Sequence, residues 1–365
     1  MAENNKACDL LRNIDSNLRV TGIGSVPFDD PEAACATILE HCPAIPYVPQ
    51  LMGRGLQENM FLQFSENMPC LAVDYDKMKV FFDETQDKKK RVEEFYRDLE
   101  DDLGHDRYGR FGISRTHAQG FYVMLEECKT RPNLFIKTQV TGPVTYLLSL
   151  SEGNKRPLVY DDEFSEAIMY GLAMKGLWQA REIRSVGKTP LLFFDEPSLV
   201  DLSSAYAPID RSRAWALIDG LLGFVKDRDP DLLVGLHCCG NTDWGRVLES
   251  GVDIVSFDAF SCGDKFLLYP GEIRRFMMKG GFIAFGIVPT SEYGEWVSEK
   301  TLYDRFVSLL SAFEEQGLTR AEILDRAIYT PACGMGPLKP PDAERVLDLV
   351  ASLSAQVTGL SDGRS

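Results

Sequence analysis

The fold is indicated most directly by three short runs, which read LLFFDEP (191–197), LLVGLHCCGN (232–241) and DIVSFDAF (253–260). Each run begins with apolar, mostly branched or aromatic residues and ends in side chains that can do chemistry. Short apolar runs of this kind are typical of buried parallel strands. Because the carboxyl ends of parallel strands meet on one side of a sheet, the polar residues are expected to lie close together.

Five further runs share this pattern, so eight strands are predicted in all, at 20–23, 45–48, 134–140, 191–194, 233–236, 254–257, 282–285 and 328–330. Helical patterns are predicted between them, at 31–41, 161–186, 211–226, 244–250, 273–278, 299–316 and 342–355. Eight alternations of strand and helix predict an α/β protein with one closed (β/α)8 TIM barrel as a single domain over 1–365. The interval 50–133, between strands 2 and 3, is too long for one helix and is predicted to be an insertion over the barrel mouth.

Composition narrows the classes of function. The chain has 365 residues and a formal net charge of −16, which disfavours a nucleic-acid partner. We expect neither a signal peptide nor a membrane span, because no segment has the required apolar length. The nine cysteines are few and scattered for a disulfide framework, so they are expected to be reduced thiols in a cytoplasmic protein.

A metal site is predicted where two strands end. His237 and Cys239 are two residues apart on an extended segment, so both can face the same side, and Cys333 follows the eighth strand. Imidazole and thiolate are the ligands that zinc prefers, and a catalytic zinc keeps one position open. Asp258, at the end of strand six, is a candidate fourth ligand or a partner of one of the ligands.

Less specific interpretations of these residues remain open. Cysteine is often a small buried residue, and a His-x-Cys spacing also arises by chance. Cys238 is an alternative ligand to Cys239 if the strand is displaced by one residue. Asp195 could anchor an ammonium or hydroxyl group of a substrate, as a catalytic and binding residue, or could cap the helix after Pro197. Ser25 could present its backbone N–H to a carboxylate or could simply form a turn.

At these residues the chain resembles the superfamily of cobalamin-independent methionine synthase, corrinoid-linked thiol methyltransferases and uroporphyrinogen decarboxylase. The resemblance runs through most of the barrel, in the segments IGSVP (23–27), VTGPVT (140–145) and FDEP (194–197), and in the order of His237, Cys239 and Cys333. It implies a methyltransferase, similar to the catalytic barrel of methionine synthase, in which Zn2+ activates a small thiol such as homocysteine. Asp258 lies where the methionine synthases have a glutamate.

Departures from the family pattern qualify this expectation. The chain is long enough for only one of the two barrels of methionine synthase. Arg54 lies near where the synthases hold an acid, which favours an acidic thiol as the acceptor. The segment HCCGNT (237–242) is closer to the corrinoid-linked enzymes, so the expected methyl donor is a methylcorrinoid, free or on a corrinoid protein, or else a folate. Two alternatives are a metal-free decarboxylase and a non-catalytic barrel that binds a corrinoid or a thiol.

Overall fold

The centre of the protein is a six-stranded parallel sheet. The computed structural model describes residues 6–150, 157–203, 207–291 and 293–358. Along the sheet the strands follow the order β10-β9-β8-β7-β6-β5, so each strand lies beside its neighbour in the chain. The strands are β5 (Phe135–Thr141), β6 (Thr189–Asp195), β7 (Leu233–Cys238), β8 (Ile254–Asp258), β9 (Phe282–Val288) and β10 (Ala327–Pro331). Each of these six strands overlaps one of the predicted runs.

The prediction of a closed eight-stranded barrel was wrong. The two expected first strands make only single parallel bridges to the sheet, Val20 with Tyr329 and Tyr47 with Lys137. Beyond them the chain forms one separate pair of two-residue strands, β1 (Ser25–Val26) and β2 (Gln50–Leu51). Proline explains part of the difference, because Pro46 has no N–H with which to extend a ladder.

Helices pack around the sheet, most of them on one of its faces. They are α1 (Lys6–Arg12), α2 (Pro31–His41), α3 (Lys88–Gly104), α4 (Gln119–Cys128), α5 (Pro143–Leu148), α6 (Asp162–Ser185), α7 (Arg211–Arg228), α8 (Trp244–Glu249), α9 (Ala259–Phe266), α10 (Pro270–Met278), α11 (Glu299–Glu315), α12 (Arg320–Asp325) and α13 (Pro340–Thr358). Many begin at a side-chain cap; Asp30, for example, accepts hydrogen bonds from the backbone of Glu32 and Ala33 at the start of α2. Among the described residues, no helix is long and apolar enough to cross a membrane.

The interval 50–133 contains more than helices. It includes β2, an antiparallel pair of strands, β3 (Leu71–Asp74) and β4 (Lys79–Phe82), and the helices α3 and α4. Short 3-10 turns at Met52–Arg54, Leu56–Glu58 and Leu62–Phe64 precede the pair. The residues between 50 and 60 reach the carboxyl ends of the central strands, which is where the candidate site lies.

The two faces of the sheet differ because side chains alternate along a strand. The face under the helices is mostly apolar and belongs to the main core; Phe194, Leu236 and Phe257 lie there. On the opposite face each strand has an apolar residue near its amino end, and these six residues pack together with Leu11 of α1 in a second core: Phe135, Leu191, Leu233, Ile254, Phe282 and Ile328. Farther along the same face the residues become polar, and this change locates the candidate site.

Candidate metal centre

Three side chains that can bind a metal converge at the carboxyl ends of β7 and β10. The ligand atoms of His237, Cys239 and Cys333 all lie within 4.8 Å of one another. Among the described residues, no other group of three His, Cys, Asp or Glu side chains has this spacing. His237 lies in β7, Cys239 directly follows β7, and Cys333 follows β10.

The imidazole ring of His237 is oriented by the neighbouring strand. Its Nδ1 atom lies 2.9 Å from Oγ of Ser256, the residue paired with His237 in the register of β7 and β8. Its Nε2 atom is buried and has no hydrogen-bond partner among the described residues. When Nδ1 donates its proton to Ser256, Nε2 keeps a free lone pair, which is the form in which histidine binds metals. Sequence reasoning missed Ser256, although its position in the strand after His237 was a usable signal.

The two thiols of the site interact directly. A hydrogen bond from Cys333, together with the nearby ring of His237, lowers the pKa of Cys239 below its ordinary value. The same hydrogen bond raises the pKa of Cys333. Because the thiolate is the form that binds a metal, the lowered pKa of Cys239 favours metal binding at this position.

Ser25 holds the loop that carries Cys333. Its backbone oxygen accepts a hydrogen bond from Met335 N at 2.8 Å, and its hydroxyl oxygen accepts one from Gly336 N at 3.3 Å. A Cβ atom at position 334 would lie 2.2 Å from Ser25 Oγ, so this close approach requires Gly334. Ser25 therefore positions a candidate metal ligand and also lines the cavity beside it.

A cavity of about 370 Å³ opens beside the three ligands. Much of its wall is apolar, with Ile23, Met52, Met60, Pro197 and Pro337 among the lining residues. Asp195 is the one carboxylate in the lining, and no arginine or lysine contributes to it among the described residues. An apolar wall around a few polar groups is typical of a small-molecule site.

Asp195 faces this cavity with unused hydrogen-bonding capacity. Its Oδ1 atom is buried and has no partner among the described residues. Burial raises the pKa of Asp195, and the charges of Lys137 and His237 oppose that rise. The structure thus places a carboxylate beside the ligands with one oxygen free to bind a substrate donor group.

Lys137 is a buried cation behind the site that sequence reasoning missed. Its ammonium donates hydrogen bonds to Ile23 O and, at 3.1 Å, to Gln139 Oε1. It also lies 4.9 Å from the centre of the Phe193 ring. Burial lowers the pKa of Lys137 to about 8, while the charge of Asp195 opposes this fall. A lysine inside the apolar run of β5 was the signal in the sequence.

Glu196, rather than Asp195, acts as the helix cap in this region. Its carboxylate accepts hydrogen bonds from the backbone N–H groups of Val144 and Thr145, at 2.9 and 2.8 Å, at the start of α5. A Cβ atom on Gly142 would lie 2.3 Å from this carboxylate, so the turn before α5 requires glycine. Burial raises the pKa of Glu196 to about 7. The contact joins the loops after β5 and β6 and thereby holds Asp195 in place.

Other residues singled out in the sequence lie apart from the three ligands. Asp258 accepts a hydrogen bond from Ser261 N at 2.8 Å and caps α9, so its carboxylate is committed to the helix. Cys238 lies in the core under the helices, where its thiol donates to Gly240 O. Arg54 lines a different cavity, where it forms an ion pair with Glu58.

The three converging residues fit a zinc ion by their chemistry. One imidazole and two thiols match a catalytic zinc site with two cysteines and one histidine, which leaves a fourth position for a substrate. The Nε2 atom of His237 is buried and has no hydrogen-bond partner among the described residues, and a metal ion at this position would give it one. The neighbouring Ser256 supplies the contact that metal-binding histidines usually make through their other ring nitrogen.

Comparisons with known proteins give little further information. No protein-family model matches the chain, and no curated protein matches it. One similar solved structure is that of a glycoside hydrolase. It is 14% identical, with a TM-score of 0.39, over 67% of this chain and 83% of that chain. A likeness this distant carries no argument about the reaction.

Proposed function

We propose that the protein is a zinc-dependent methyltransferase that methylates a small thiol. The observation that carries the proposal is the convergence of His237, Cys239 and Cys333 at the edge of a mostly apolar cavity. Zinc in this position would lower the pKa of an acceptor thiol and keep it nucleophilic at neutral pH. The segments at 23–27, 140–145 and 194–197 resemble those of thiol methyltransferases and support the same assignment.

In this proposal, residues that line the cavity bind the acceptor thiol and exclude water from its sulfur. Asp195 offers its free carboxylate oxygen to an ammonium or hydroxyl group of the acceptor, and homocysteine is one thiol with a suitable ammonium. Met52 and Met60 line the cavity and exclude water from the sulfur. Ser25 keeps the loop of Cys333 fixed, so that the ligands and the acceptor stay in one geometry.

Two expectations drawn from the sequence are refined in the proposal. Arg54 is no longer assigned to the acceptor, since it lines a separate cavity and the metal cavity has no cationic lining residue among those described. The methyl donor is proposed to be a methylcorrinoid, free or on a partner protein, with a methylfolate as the alternative. The need for reduced thiols agrees with the cytoplasmic location predicted from the sequence, which stays a prediction.

The metal-free decarboxylase alternative is disfavoured by the same cavity. Decarboxylation of a polycarboxylate in the manner of uroporphyrinogen decarboxylase needs arginines at the substrate. Arg19, the arginine nearest the first loop, is buried and donates to backbone oxygens of Ile14, Asp325 and Arg12 instead. A non-catalytic thiol-binding protein is separated from the proposal by turnover alone.

The test follows thiol binding and methyl transfer separately. In protein loaded with Co2+ in place of zinc, the two cysteine ligands already give a sulfur-to-cobalt charge-transfer band, and an aminothiol such as homocysteine is expected to increase its intensity by adding a third sulfur ligand. In zinc-loaded protein, methylcobalamin or methylfolate is then expected to yield the methyl thioether, detected by mass spectrometry. Cys333→Ser should lose both signals, and Cys238→Ser should keep both. Absence of both signals in the wild-type protein would refute the proposal, and thiol binding without turnover would favour a binding protein.

The role of Asp195 can be tested within the same experiment. Asp195→Asn removes the charge that is proposed to hold an ammonium group, and loss of such a contact costs about 1.5–3 kcal/mol, or roughly ten- to hundredfold in affinity. The loss is expected for homocysteine and not for 3-mercaptopropionate, which has no ammonium group. Equal weakening of both thiols would show that Asp195 does not recognise the amine.

A further inference from the structure

A second cavity lies on the other side of the loop that borders the metal cavity. Met52, Asn59 and Met60 face the metal cavity, whereas Arg54 and Glu58, from the same segment, line the second one. The second cavity has a volume of about 350 Å³ and is completed by residues of the loop before α4, including Arg115 and Thr116. The two cavities are therefore lined by different residues of one segment.

The lining of the second cavity carries an excess of positive charge. Two guanidinium groups, those of Arg54 and Arg115, accompany a single carboxylate, that of Glu58. This excess is unexpected in a chain with 55 acidic and 39 basic residues. A positively charged concave surface on an acidic protein attracts anions locally against the overall field.

The carboxylate of Glu58 has little hydrogen-bonding capacity left for a ligand. It is almost fully buried and accepts hydrogen bonds from Leu51 N at 3.3 Å and from Gln119 N at 3.0 Å. Arg54 Nη1 donates to the same carboxylate at 3.1 Å. Glu58 thus joins the loop to the start of α4 and neutralises one of the two arginines, while the remaining donors of Arg54 stay exposed to the cavity.

Arg115 is held in position but has no acceptor. Its guanidinium lies 4.5 Å from the centre of the Tyr122 ring, and the Tyr122 hydroxyl is itself anchored to Ile113 O at 2.7 Å. Among the described residues Arg115 forms neither an ion pair nor a hydrogen bond. A guanidinium stacked on an aromatic ring keeps the donors at its edge free, in the planar fork that matches two oxygens of one anion.

The geometry points to an oxyanion site in this second cavity: we propose that Arg115 and Arg54 bind a carboxylate or phosphate group there, separately from the metal cavity. Arg115 is the principal contact, since its donors have no other acceptor among the described residues. Gln57 and Thr116, which also line the cavity, can donate further hydrogen bonds. The site could receive the acidic end of a large substrate or a separate small anion, and both sources present the same chemistry.

Another exposed arginine offers a matched control. Arg181 also lies over a tyrosine, with its guanidinium 5.5 Å from the centre of the Tyr108 ring, and it lines a different surface cavity. Unlike Arg115, it has a carboxylate partner, Asp106 Oδ2, at 2.9 Å. Replacing Arg181 therefore removes an exposed arginine that lies over a tyrosine and is already paired with a carboxylate, and it leaves Arg115 unchanged.

Calorimetric titration of the full-length protein with inorganic phosphate at low ionic strength tests the site directly. A direct binding measurement is needed because phosphate stabilises folded proteins generally by exclusion from their surface. We expect saturable binding that weakens at least tenfold in Arg115→Gln, since a hydrogen bond to a charged group is lost. Arg181→Gln and His237→Ala should bind phosphate like the wild type, and the latter variant separates this site from the proposed zinc site.

Two additional arms complete the experiment. Arg54→Gln alone would leave Glu58 buried without its cation, so Arg54 is tested in the double variant Arg54→Gln/Glu58→Gln, which is expected to bind phosphate more weakly. Titration with citrate shows whether a carboxylate or a phosphate group binds more tightly. The proposal is overturned if neither anion binds beyond a chloride control, or if Arg115→Gln binds as tightly as the wild type.

Discussion

At the amino ends and the carboxyl ends of the six central strands, selected buried polar groups are paired differently. At the amino ends, Arg19 is buried and donates through Nε, Nη1 and Nη2 to backbone oxygens, among them Asp325 O at 2.6 Å and Arg12 O at 3.1 Å. At the carboxyl ends, His237 Nε2 and Asp195 Oδ1 are also buried but have no partner among the described residues. In the first arrangement the buried donors are paired, whereas the second leaves a lone pair of nitrogen and an oxygen acceptor that a ligand can use.

This contrast distinguishes residues that we expect to stabilise the fold from residues that we expect to bind a ligand, at opposite ends of the same strands. A buried polar group is normally paired, because an unpaired one costs about 1–3 kcal/mol. The unpaired atoms at and beside the three candidate metal ligands therefore represent a cost that a bound ion and substrate would remove. Substitutions at the amino ends are expected to change the free energy of unfolding, and those at the carboxyl ends are expected to change binding.

The largest effect on stability is expected at Arg19. Arg19→Met would leave several partly buried carbonyl oxygens without donors and should lower the free energy of unfolding by about 3–5 kcal/mol, with zinc content unchanged. Urea unfolding measures the first quantity and elemental analysis the second. Arg12→Met removes only an exposed ion pair with Asp325 and should cost less than about 1 kcal/mol. Loss of zinc in folded Arg19→Met would show that the two ends are not independent.

A smaller effect is expected at Ser256, on binding rather than on folding. Ser256→Ala removes the contact that orients His237 and should weaken zinc binding about ten- to hundredfold. Competition with a chromophoric chelator measures the affinity. Ser354→Ala is the control. Ser354 is a buried serine like Ser256, but it lies in α13, where its hydroxyl donates to the backbone oxygen of Ser16. Unchanged affinity in Ser256→Ala would contradict the assigned role of His237.

The smallest effect concerns Lys137, between the two ends. Its pKa is lowered to about 8 in the folded protein, so the unfolded chain binds more protons above that pH and stability rises with pH. The free energy of unfolding of the wild type minus that of Lys137→Met should therefore increase by about 1.4 kcal/mol between pH 7 and pH 9. Taking this difference cancels titrations common to both proteins. A difference that does not change with pH would show that the Lys137 ammonium is not destabilised by burial.

Much of the fold was predictable where local pattern and packing agree. The six central strands coincide with short, mostly apolar runs, and α2 begins at its predicted residue because Asp30 and Pro31 form a local start signal. The closed barrel was not predictable from apolarity alone: the segments around Val20 and Tyr47 are apolar and buried, yet they pair with the sheet through single bridges. A buried apolar run shows where a segment lies and not how its hydrogen bonds are made.

The candidate site shows the same limit at the level of side chains. The strand-end rule and the alternation of side chains placed His237 and Cys239 on one face, with Cys238 on the other. They could not show whether a carboxylate at a strand end would point at the site or cap the next helix. Asp258, a candidate metal ligand, caps α9, and Glu196, which the sequence did not single out, caps α5. These outcomes depend on which backbone N–H groups lie nearby, and only the folded structure supplies that information.

The central claim is that His237, Cys239 and Cys333 form a zinc site, and metal content tests it most directly. Protein purified under reducing conditions and supplied with zinc is expected to hold one zinc ion per chain. His237→Ala, Cys239→Ser and Cys333→Ser should each lose most of it, while Cys238→Ser, in which a neighbouring core thiol is replaced, should retain it. Absence of stoichiometric zinc from the reduced wild-type protein, or full zinc content in the three ligand variants, would contradict the account.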